Sequence, residues 1–362
     1  MVLFLFFLIA VGILFLQSQI FYRYSLRRLE YERKFQKRAC YKGEQIELIE
    51  EISNRKWLPV PWIRVESQLS SYLQFGQQDN FSVSKGQIYQ NHRSFFTLKP
   101  YVKIRRTHRI VPVRRGIYRL HTVTITSGDL LGMRLRHQQL ALSDELIVYP
   151  KLADVSLDEL PFHSWQGEHS VRRWIIEDPF VIAGARPYAA GDSYRNINWN
   201  ATARVGELQV HKYDYTANRQ LLVYLNIEDG EEMWRAVNDE ELIEQGIEWA
   251  AGAIATTIDC GMLAGFGTNM MLENKIPMPV IAPGSGYEHM EHILETMARL
   301  VLERTEPFTM FLEHEAHQGF ANQDILIIST YWTEQLEHLA MRLRGNGNSV
   351  THWPLIKEAE MS

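Results

Sequence analysis

The chain opens with a long run of apolar residues. Val2 to Leu16 carries no charged side chain, and Ile20 to Tyr22 extend the run beyond Gln17-Ser18-Gln19. As a helix, this stretch would rise about 30 Å, which is close to the thickness of the hydrocarbon core of a bilayer. The pattern predicts a transmembrane anchor over residues 1–22.

Basic residues follow this run rather than precede it. A cleaved signal peptide would carry its positive charge before the apolar run and small residues at a cleavage site after it. Because basic residues are retained on the cytoplasmic side, the sequence predicts an uncleaved single-pass anchor in the cell membrane with a cytoplasmic body. The basic segment, 23–42, could also lie against anionic lipid headgroups, or it could serve only as a topology signal. Its basic residues are Arg23, Arg27, Arg28, Arg33, Lys34, Lys37 and Arg38.

Residues 43–150 alternate between bulky and polar positions with a period of two, which is typical of half-buried strands. Glycine-containing turns separate the strands, and this spacing predicts an antiparallel β-sandwich of the immunoglobulin or fibronectin type. No cluster in this part has a catalytic pattern, so we expect a packing or interaction module. The clearest predicted strands are Gln45–Ile52, Trp62–Glu66, His121–Thr126 and Glu145–Tyr149.

After a linker-like stretch that includes Pro161 to His169, the pattern changes to alternating strands and helices over residues 221–362. Such alternation predicts an α/β domain with a mostly parallel sheet covered on both faces, so the whole chain is predicted to be an α+β multi-domain protein. The predicted strands are Leu221–Leu225, Met262–Phe266, Ile325–Ser329 and Ser349–Leu355. The predicted helices are Asp239–Asp259, Glu288–Leu302 and Glu334–Leu343.

The segment 151–220 contains the densest group of polar and aromatic residues. Within it, residues 186–204 follow the pattern R-x-Y-x-x-G-D-x-x-R-x-I-x-W-x-x-x-A-R, which we call the signature. Its candidate binding residues are Arg186, Tyr188, Gly191, Asp192, Arg195, Trp199 and Arg204. Aspartate after glycine suits a tight turn, where its carboxylate can cap backbone N–H groups or bind a guanidinium group. Two interpretations stay open: a buried arginine–aspartate contact that docks the two domains, or a pocket for an anion or a peptide carboxylate.

This signature resembles the hallmark of the domain-of-unknown-function family 58 (DUF58). Upstream motifs occur in the family's usual order: Arg-Gly-x-Tyr at Arg115–Tyr118, Gly-Asp-x-x-Gly at Gly128–Gly132, and Val-Tyr-Pro at Val148–Pro150. The resemblance implies a membrane-tethered scaffold with a von Willebrand factor A-like domain over residues 221–362. It also implies two partners, a MoxR-type AAA+ ATPase and a transglutaminase-like membrane protein.

Metal-binding von Willebrand A domains hold magnesium through Asp-x-Ser-x-Ser after their first strand, because hard cations require oxygen ligands. The equivalent positions here are Asn226, Glu228 and Gly230, so we expect a degenerate motif without a metal. The alternative is a metal-dependent hydrolase that uses Glu228 with Asp229, or the helical pair His289 and His292. A solvated polar helix face also explains the two histidines.

Net charge, cysteine content and the lack of cofactor motifs narrow the functional classes that remain. A formal net charge of −5 gives no basic signature for nucleic-acid binding. The two cysteines, Cys40 and Cys260, lack partners at metal-ligand spacing, so neither a disulfide framework nor a zinc ribbon is expected. No cofactor motif is present. The anchor, the degenerate metal motif and above all the resemblance to DUF58 proteins imply a non-enzymatic scaffold or adaptor in cell-envelope assembly or protein maturation.

Overall fold

The computed structural model describes residues 2–76, 81–85, 89–160, 182–189, 197–213, 220–230, 233 and 237–356. The chain divides into two compact units. The first unit comprises Met1–Lys151 with Leu294–Leu300, and the second comprises Leu152–Ile293 with Val301–Ser362.

An apolar helix, α1 (Val2–Tyr24), begins the first unit. It is long and apolar enough to cross a membrane, and no residue of its apolar window is buried inside the unit. The unit then consists of strands: β1 (Leu29–Phe35), β2 (Ala39–Tyr41), β3 (Ile46–Asn54), β4 (Val60–Ser70), β5 (Leu73–Phe75), β6 (Phe81–Lys85), β7 (Tyr89–Leu98), β8 (Lys103–Pro112), β9 (Gly116–Arg119), β10 (Thr122–Gly128), β11 (Leu135–Ala141) and β12 (Glu145–Tyr149).

Two antiparallel sheets carry most of these strands, in the orders β1-β3-β8-β5 and β11-β10-β4-β7-β6. A third, smaller sheet has the order β2-β12-β9, in which β2 runs parallel to β12. Inward side chains from both large sheets share one apolar cluster, in which Ile52 of β3 packs with Ile63, Val65 and Phe96. The predicted antiparallel β-rich architecture is confirmed.

The basic segment 23–42 is not merely a juxtamembrane connection, because β1 and β2 lie within it. Four charged residues in β1 hide its period-two pattern in the sequence. In the structure Phe35 is buried and Arg33 is also buried, with 3% of its surface exposed. Arg33 therefore points into the interior, although a hydropathy pattern predicts that a charged residue is exposed to solvent.

A layer of polar side chains crosses the interior of this unit around Glu50. The Glu50 carboxylate accepts hydrogen bonds from Tyr31 Oη (2.7 Å) and Ser94 Oγ (3.3 Å), and lies 3.1 Å from His108 Nε2. Burial alone would raise the pKa of Glu50, but the His108 hydrogen bond and the charge of Arg33 lower it. Glu50 thus stays ionised in the core, as buried charges do when they are paired.

His92 completes this polar layer. It is 2% exposed, and its ring lies 4.2 Å from the Phe75 ring between centroids. Burial, together with the nearby charge of Arg33, lowers the pKa of His92 to about 3. At neutral pH the folded chain therefore holds His92 as neutral imidazole.

The second unit begins with a hairpin and then forms an α/β sheet. Its elements are β13 (Ile182–Pro187), α2 (Trp199–Val205), β14 (Gln209–Tyr213), β15 (Gln220–Leu225), α3 (Glu240–Asp259), β16 (Leu263–Thr268), β17 (Met270–Leu272), β18 (Ile281–Gly284), α4 (Tyr287–Ala298), β19 (Leu300–Arg304), α5 (Phe308–His317), β20 (Asp324–Ser329), α6 (Glu334–Gly345) and β21 (Ser349–Pro354).

The main sheet has the order β18-β16-β15-β20-β21. Its neighbours β16, β15, β20 and β21 run parallel, and β18 pairs antiparallel with β16. Alternate residues of β15 point to opposite faces, so Leu222 and Tyr224 pack with α5 and α6, whereas Leu225 lies beside Gly246 of α3. Three of the four strand pairings in this sheet are therefore parallel, and α3 lies on the face opposite α5 and α6.

The predicted helix Glu288–Leu302 is too long. The structure ends α4 at Ala298 and begins strand β19 at Leu300. Val301, which the helical pattern assigns to a buried face, is 37% exposed. The apolar run around Leu300 continues the helical spacing by coincidence, so periodicity alone extends the helix into the strand.

Gly252 of α3 marks a close approach within the second unit. A Cβ atom at this position would lie 2.3 Å from the carbonyl oxygen of Ala153. Gly252→Ala should therefore lower the free energy of unfolding by about 1–3 kcal/mol, the usual effect of overpacking. Gly345→Ala is the matched control, because a Cβ there meets nothing within 4 Å. It should be neutral or raise stability by about 0.5 kcal/mol.

Urea unfolding of the full chain in detergent measures both glycine variants. Equal midpoints for Gly252→Ala and the parent would contradict the close approach of Ala153.

Candidate functional site

The candidate site lies at the carboxyl ends of the parallel strands, where open α/β sheets bind ligands. Asn226, Glu228 and Gly230 follow β15, Asn269 follows β16, and Ser329 ends β20. The geometry therefore brings the degenerate motif to the expected edge of the sheet. We call the group formed by Asn226, Glu228, Asn269, Arg304, Ser329 and Tyr331 the Glu228 cluster.

Glu228 is the centre of this cluster, and its side chain is 4% exposed. Its Oε1 accepts hydrogen bonds from Arg304 Nη1 (2.8 Å) and from the backbone N–H of Phe308 (3.1 Å). Its Oε2 accepts from the Tyr331 hydroxyl. A buried carboxylate is stable when a cation and further donors satisfy it. Arg304 supplies that cation from the end of β19.

Two asparagines fix the backbone around Glu228. The Asn226 side chain accepts from the Glu228 N–H (3.0 Å) and donates to Ser329 Oγ (3.0 Å). Asn269 Oδ1 accepts from the Ile227 N–H at 3.1 Å. Because an amide both donates and accepts, Asn226 can bridge two strand ends in a way that an aspartate cannot. The asparagine at position 226 therefore has a structural use.

Asp229 points away from this carboxylate. Its side chain accepts from Asn238 Nδ2 (3.0 Å) and from the backbone N–H groups of Asn238 and Asp239, the residues before α3. Glu228 and Asp229 thus serve two separate networks and do not form the paired metal site of the hydrolase alternative. Within the described ranges, no group of three His, Cys, Asp or Glu side chains has an arrangement suited to a metal.

The two histidines of α4 have different environments. His289 Nε2 lies 2.7 Å from the carbonyl oxygen of Ala264, and its ring packs on Gly284 of β18. His292, one turn later, is exposed. The expectation of a solvated polar face is therefore wrong for His289, because the edge strand covers this side of the helix. The histidine is partly buried and tied to the sheet.

Another buried pair lies against α5. Tyr224 donates to Glu315 Oε2 at 2.6 Å, and Gln318 Nε2 donates to Glu315 Oε1 at 3.0 Å. Burial raises the pKa of the Glu315 carboxyl, although the hydrogen bond from Tyr224 opposes this shift. The pair joins α5 to the centre of the sheet.

The signature segment is partly described. Arg186 lies in β13 and Arg204 in α2, both exposed, and Tyr188 donates its backbone N–H to Leu208 (2.9 Å). Asn198 caps α2 by accepting from the Ala201 N–H at 3.0 Å. Gly191, Asp192 and Arg195 lie outside the described residues, as does the stretch 161–181. Whether the aspartate binds an arginine stays a prediction.

Trp199 is the most exposed large hydrophobic residue of the described signature. It opens α2 and is 67% exposed, and Val205 (62%) and Leu208 (42%) are exposed nearby in sequence. Large apolar side chains at the surface of a domain often mark interaction sites. Trp199, a candidate binding residue of the signature, therefore faces outward.

Comparison with known proteins gives two sequence matches. Residues 184–361 match the family model described as "Protein of unknown function DUF58". The chain is 21% identical over 340 residues to "Uncharacterized protein YeaD" of Bacillus subtilis (strain 168), covering 94% of this chain and 79% of that protein.

Two cohesins of known structure each match about a third of the chain. A cohesin module from the family 33 glycoside hydrolase of Clostridium perfringens is 10% identical, with a TM-score of 0.21, and covers 32% of this chain and 97% of its own. A non-cellulosomal cohesin from Archaeoglobus fulgidus is 12% identical, with a TM-score of 0.23, and the match covers 36% of this chain and 94% of the cohesin. TM-scores this low carry no functional information. Residues 184–361 are thus similar to the DUF58 family, as the signature in the sequence indicates.

Proposed function

We propose that the chain is a membrane-tethered, non-enzymatic scaffold or adaptor that works with a MoxR-type AAA+ ATPase in cell-envelope assembly or protein maturation. The observation that carries this proposal is the Glu228 cluster. Its central carboxylate is engaged by Arg304, Tyr331 and the Phe308 N–H, which leaves little capacity for a metal or a substrate. The site has the properties of a structural core rather than of a reaction centre.

The second unit is the part that we propose to be von Willebrand factor A-like. A parallel sheet with one antiparallel edge strand, and helices on both faces, supports this proposal. In the same proposal, Arg304 occupies the place of the magnesium ion, since a guanidinium group can neutralise a carboxylate through fixed hydrogen bonds. The edge of the sheet then keeps its shape without metal.

The exposed face of the signature segment is the proposed contact for the ATPase. Trp199, Val205 and Leu208 offer apolar area, and Arg186 and Arg204 are exposed cations in the same segment. Tryptophan and arginine are enriched among the residues that carry most of the energy of protein interfaces. A transglutaminase-like membrane protein is the second proposed partner, because α1 would place both proteins in one bilayer.

Affinity capture of the full-length chain from gently solubilised membranes, with and without ATP, tests this function. We expect the parent to recover an AAA+ ATPase in a nucleotide-dependent manner. Trp199→Ala should remove most of it, since loss of a central interface tryptophan costs about 2 kcal/mol or more. Trp57→Ala is the matched control, because Trp57 is 71% exposed in the first unit. It should retain the partner.

Recovery of no ATPase by the parent under either nucleotide condition would overturn the proposed partner. Equal loss in Trp199→Ala and Trp57→Ala would leave the partner but remove the signature segment as its contact.

A further inference from the structure

Four connecting segments meet at one end of the first unit, the end at which α1 joins the sandwich. Arg55 donates its N–H to the Arg28 carbonyl (3.0 Å), which joins the β3–β4 connection to the end of α1. Asn54 binds the Val102 carbonyl at 2.9 Å, which adds the β7–β8 turn. Trp62 Nε1 donates to the Asp129 carbonyl at 2.9 Å, which adds the β10–β11 loop. We call this surface the anchor-proximal end.

The β10–β11 loop runs alongside the last turns of α1. The Asp129 carboxylate interacts with the Ser18 side chain. Arg134 lies over the Tyr22 ring, 5.1 Å from its centroid, and Arg136 Nη1 donates to the Arg23 carbonyl at 3.0 Å. With a rise of 1.5 Å per residue, Ser18 lies about 9 Å below the end of α1. The loop therefore reaches the depth of the final turns of the apolar helix.

The shape of this loop is fixed by its own hydrogen bonds. Asp129 Oδ1 accepts from the Met133 N–H at 2.7 Å, and Gly132 has a φ of 69°, a left-handed conformation that favours glycine. The side chains in the turn that this hydrogen bond closes point into solvent. Leu130 is 56% exposed, Leu131 is 58% exposed and Met133 is 79% exposed. Three adjacent apolar side chains in water would be costly, so the loop indicates a partner.

The rest of the anchor-proximal end has the chemistry of a membrane interface. Trp57 and Tyr101, from the two other connections, are 71% and 72% exposed. Aromatic residues of this kind favour the headgroup region, and cations favour anionic lipids. The cationic side chains in or beside these segments are Arg23, Arg27, Arg28, Arg55, Lys99, Lys103, Arg134 and Arg136. Among described residues, the opposite end exposes Tyr41 and Tyr89 but no aliphatic side chain of comparable size.

We propose that the anchor-proximal end is a lipid-binding surface. Leu130, Leu131 and Met133 insert into the boundary between headgroups and acyl chains, while Trp57 and Tyr101 lie at headgroup level. The proposal rests on α1 being the membrane anchor. It commits to lipid as the occupant because the loop is held beside the apolar helix and would enter the same bilayer.

The sandwich is then fixed to the bilayer at two places, the helix and the loop. A single helix leaves the body free to tilt, whereas a second insertion point sets its orientation.

Site-specific labelling of the full-length chain in vesicles tests this surface. The background is Cys260→Ser, since Cys260 is exposed, whereas Cys40 is 3% exposed and burial raises the pKa of its thiol to about 12. An environment-sensitive fluorophore is attached separately to Leu131→Cys, Ile13→Cys or Ser143→Cys. Ser143 is exposed beyond the far end of β11, about 20 Å along the strand from the loop.

The vesicles contain phosphatidylcholine, with or without phosphatidylglycerol, and nitroxide-labelled lipids or aqueous iodide serve as quenchers. We expect the Leu131 label to be quenched by shallow nitroxide lipids and to be several-fold less accessible to iodide than the Ser143 label. The Ile13 label should be quenched by deep nitroxides. Phosphatidylglycerol should move the Leu131 label deeper.

The labelled positions and the two vesicle compositions distinguish failure of the lipid-binding surface from failure of the membrane anchor. A lipid-embedded Ile13 label together with an iodide-accessible Leu131 label would overturn the lipid-binding surface and leave the anchor intact. An iodide-accessible Ile13 label would overturn both. If phosphatidylglycerol has no effect on the Leu131 label, the cations do not contribute. The contact proposed for the ATPase lies in the signature segment and includes neither α1 nor the loop, so these readouts are independent of partner capture.

Discussion

Replacing Arg304 by methionine should lower the free energy of unfolding of the second unit by about 3–5 kcal/mol, because it leaves the buried carboxylate of Glu228 without its cation. Arg304 Nη1 lies 2.8 Å from Glu228 Oε1, and the two side chains are 17% and 4% exposed. Methionine keeps most of the arginine stem, so the change chiefly removes charge. Urea unfolding of the full chain in detergent, followed by tryptophan fluorescence, measures the effect.

Two controls distinguish charge pairing from packing. Arg344 and Glu337 form an ion pair at 2.7 Å with side chains 40% and 34% exposed, so Arg344→Met should cost at most about 1 kcal/mol. The double variant Glu228→Leu/Arg304→Met removes both buried charges and should recover much of the stability that Arg304→Met loses. If Arg304→Met and Arg344→Met cost the same, Glu228 does not depend on Arg304.

The first unit should lose stability as the pH falls from 6.5 towards 3, because of His92. Burial lowers the pKa of folded His92 to about 3, whereas the ordinary value is 6.5. Between these values the unfolded chain binds a proton that the folded chain does not, so acidification favours unfolding. One such proton corresponds to about 1.4 kcal/mol per pH unit. Above pH 6.5 this contribution is constant.

Urea unfolding at fixed pH values between 4 and 8 measures this dependence. His92→Gln should lower the slope of unfolding free energy against pH by up to one proton, since glutamine does not titrate. His121→Gln is the matched control, because His121 is exposed in the same unit. The slope of unfolding free energy against pH for His121→Gln should equal that of the parent. Equal slopes for His92→Gln and the parent would show that His92 titrates alike in both states.

Much of the secondary structure follows from periodicity. The predicted strand Glu145–Tyr149 coincides with β12, and the predicted helix Asp239–Asp259 differs from α3 by one residue. Both elements have a clear signal at one boundary. Pro150 ends β12, and Asp239 begins α3 as its N-cap by accepting from the Leu242 N–H. In these elements local preference and tertiary packing agree.

The buried charges could be predicted only in part. Glu50 is in phase with Ile46, Leu48 and Ile52 in β3, so the alternation already places it on the inward face. His92 is likewise in phase with Phe96 in β7. A stricter use of the period would have identified this polar layer, since a charged residue at an inward position implies a partner. It would not have identified which partner.

The candidate site shows the limit of sequence more clearly. The motif positions Asn226, Glu228 and Gly230 can be located by the strand that precedes them. Arg304, which neutralises Glu228, lies 76 positions away on β19, and the sequence pattern assigned that neighbourhood to a helix. Long-range pairing depends on how the sheet brings strand ends together, and no local spacing encodes it.

The parallel pairing of β2 with β12 has a consequence for synthesis. Ala39 pairs with Ile147 and Tyr41 with Tyr149, so the joined strands are about a hundred residues apart, and closing such a loop costs entropy before any contact offsets it. A nascent chain must therefore leave Cys40 of β2 uncovered until residue 149 has emerged. The thiol that the finished sheet protects is, during that interval, open to oxidants and to chaperones.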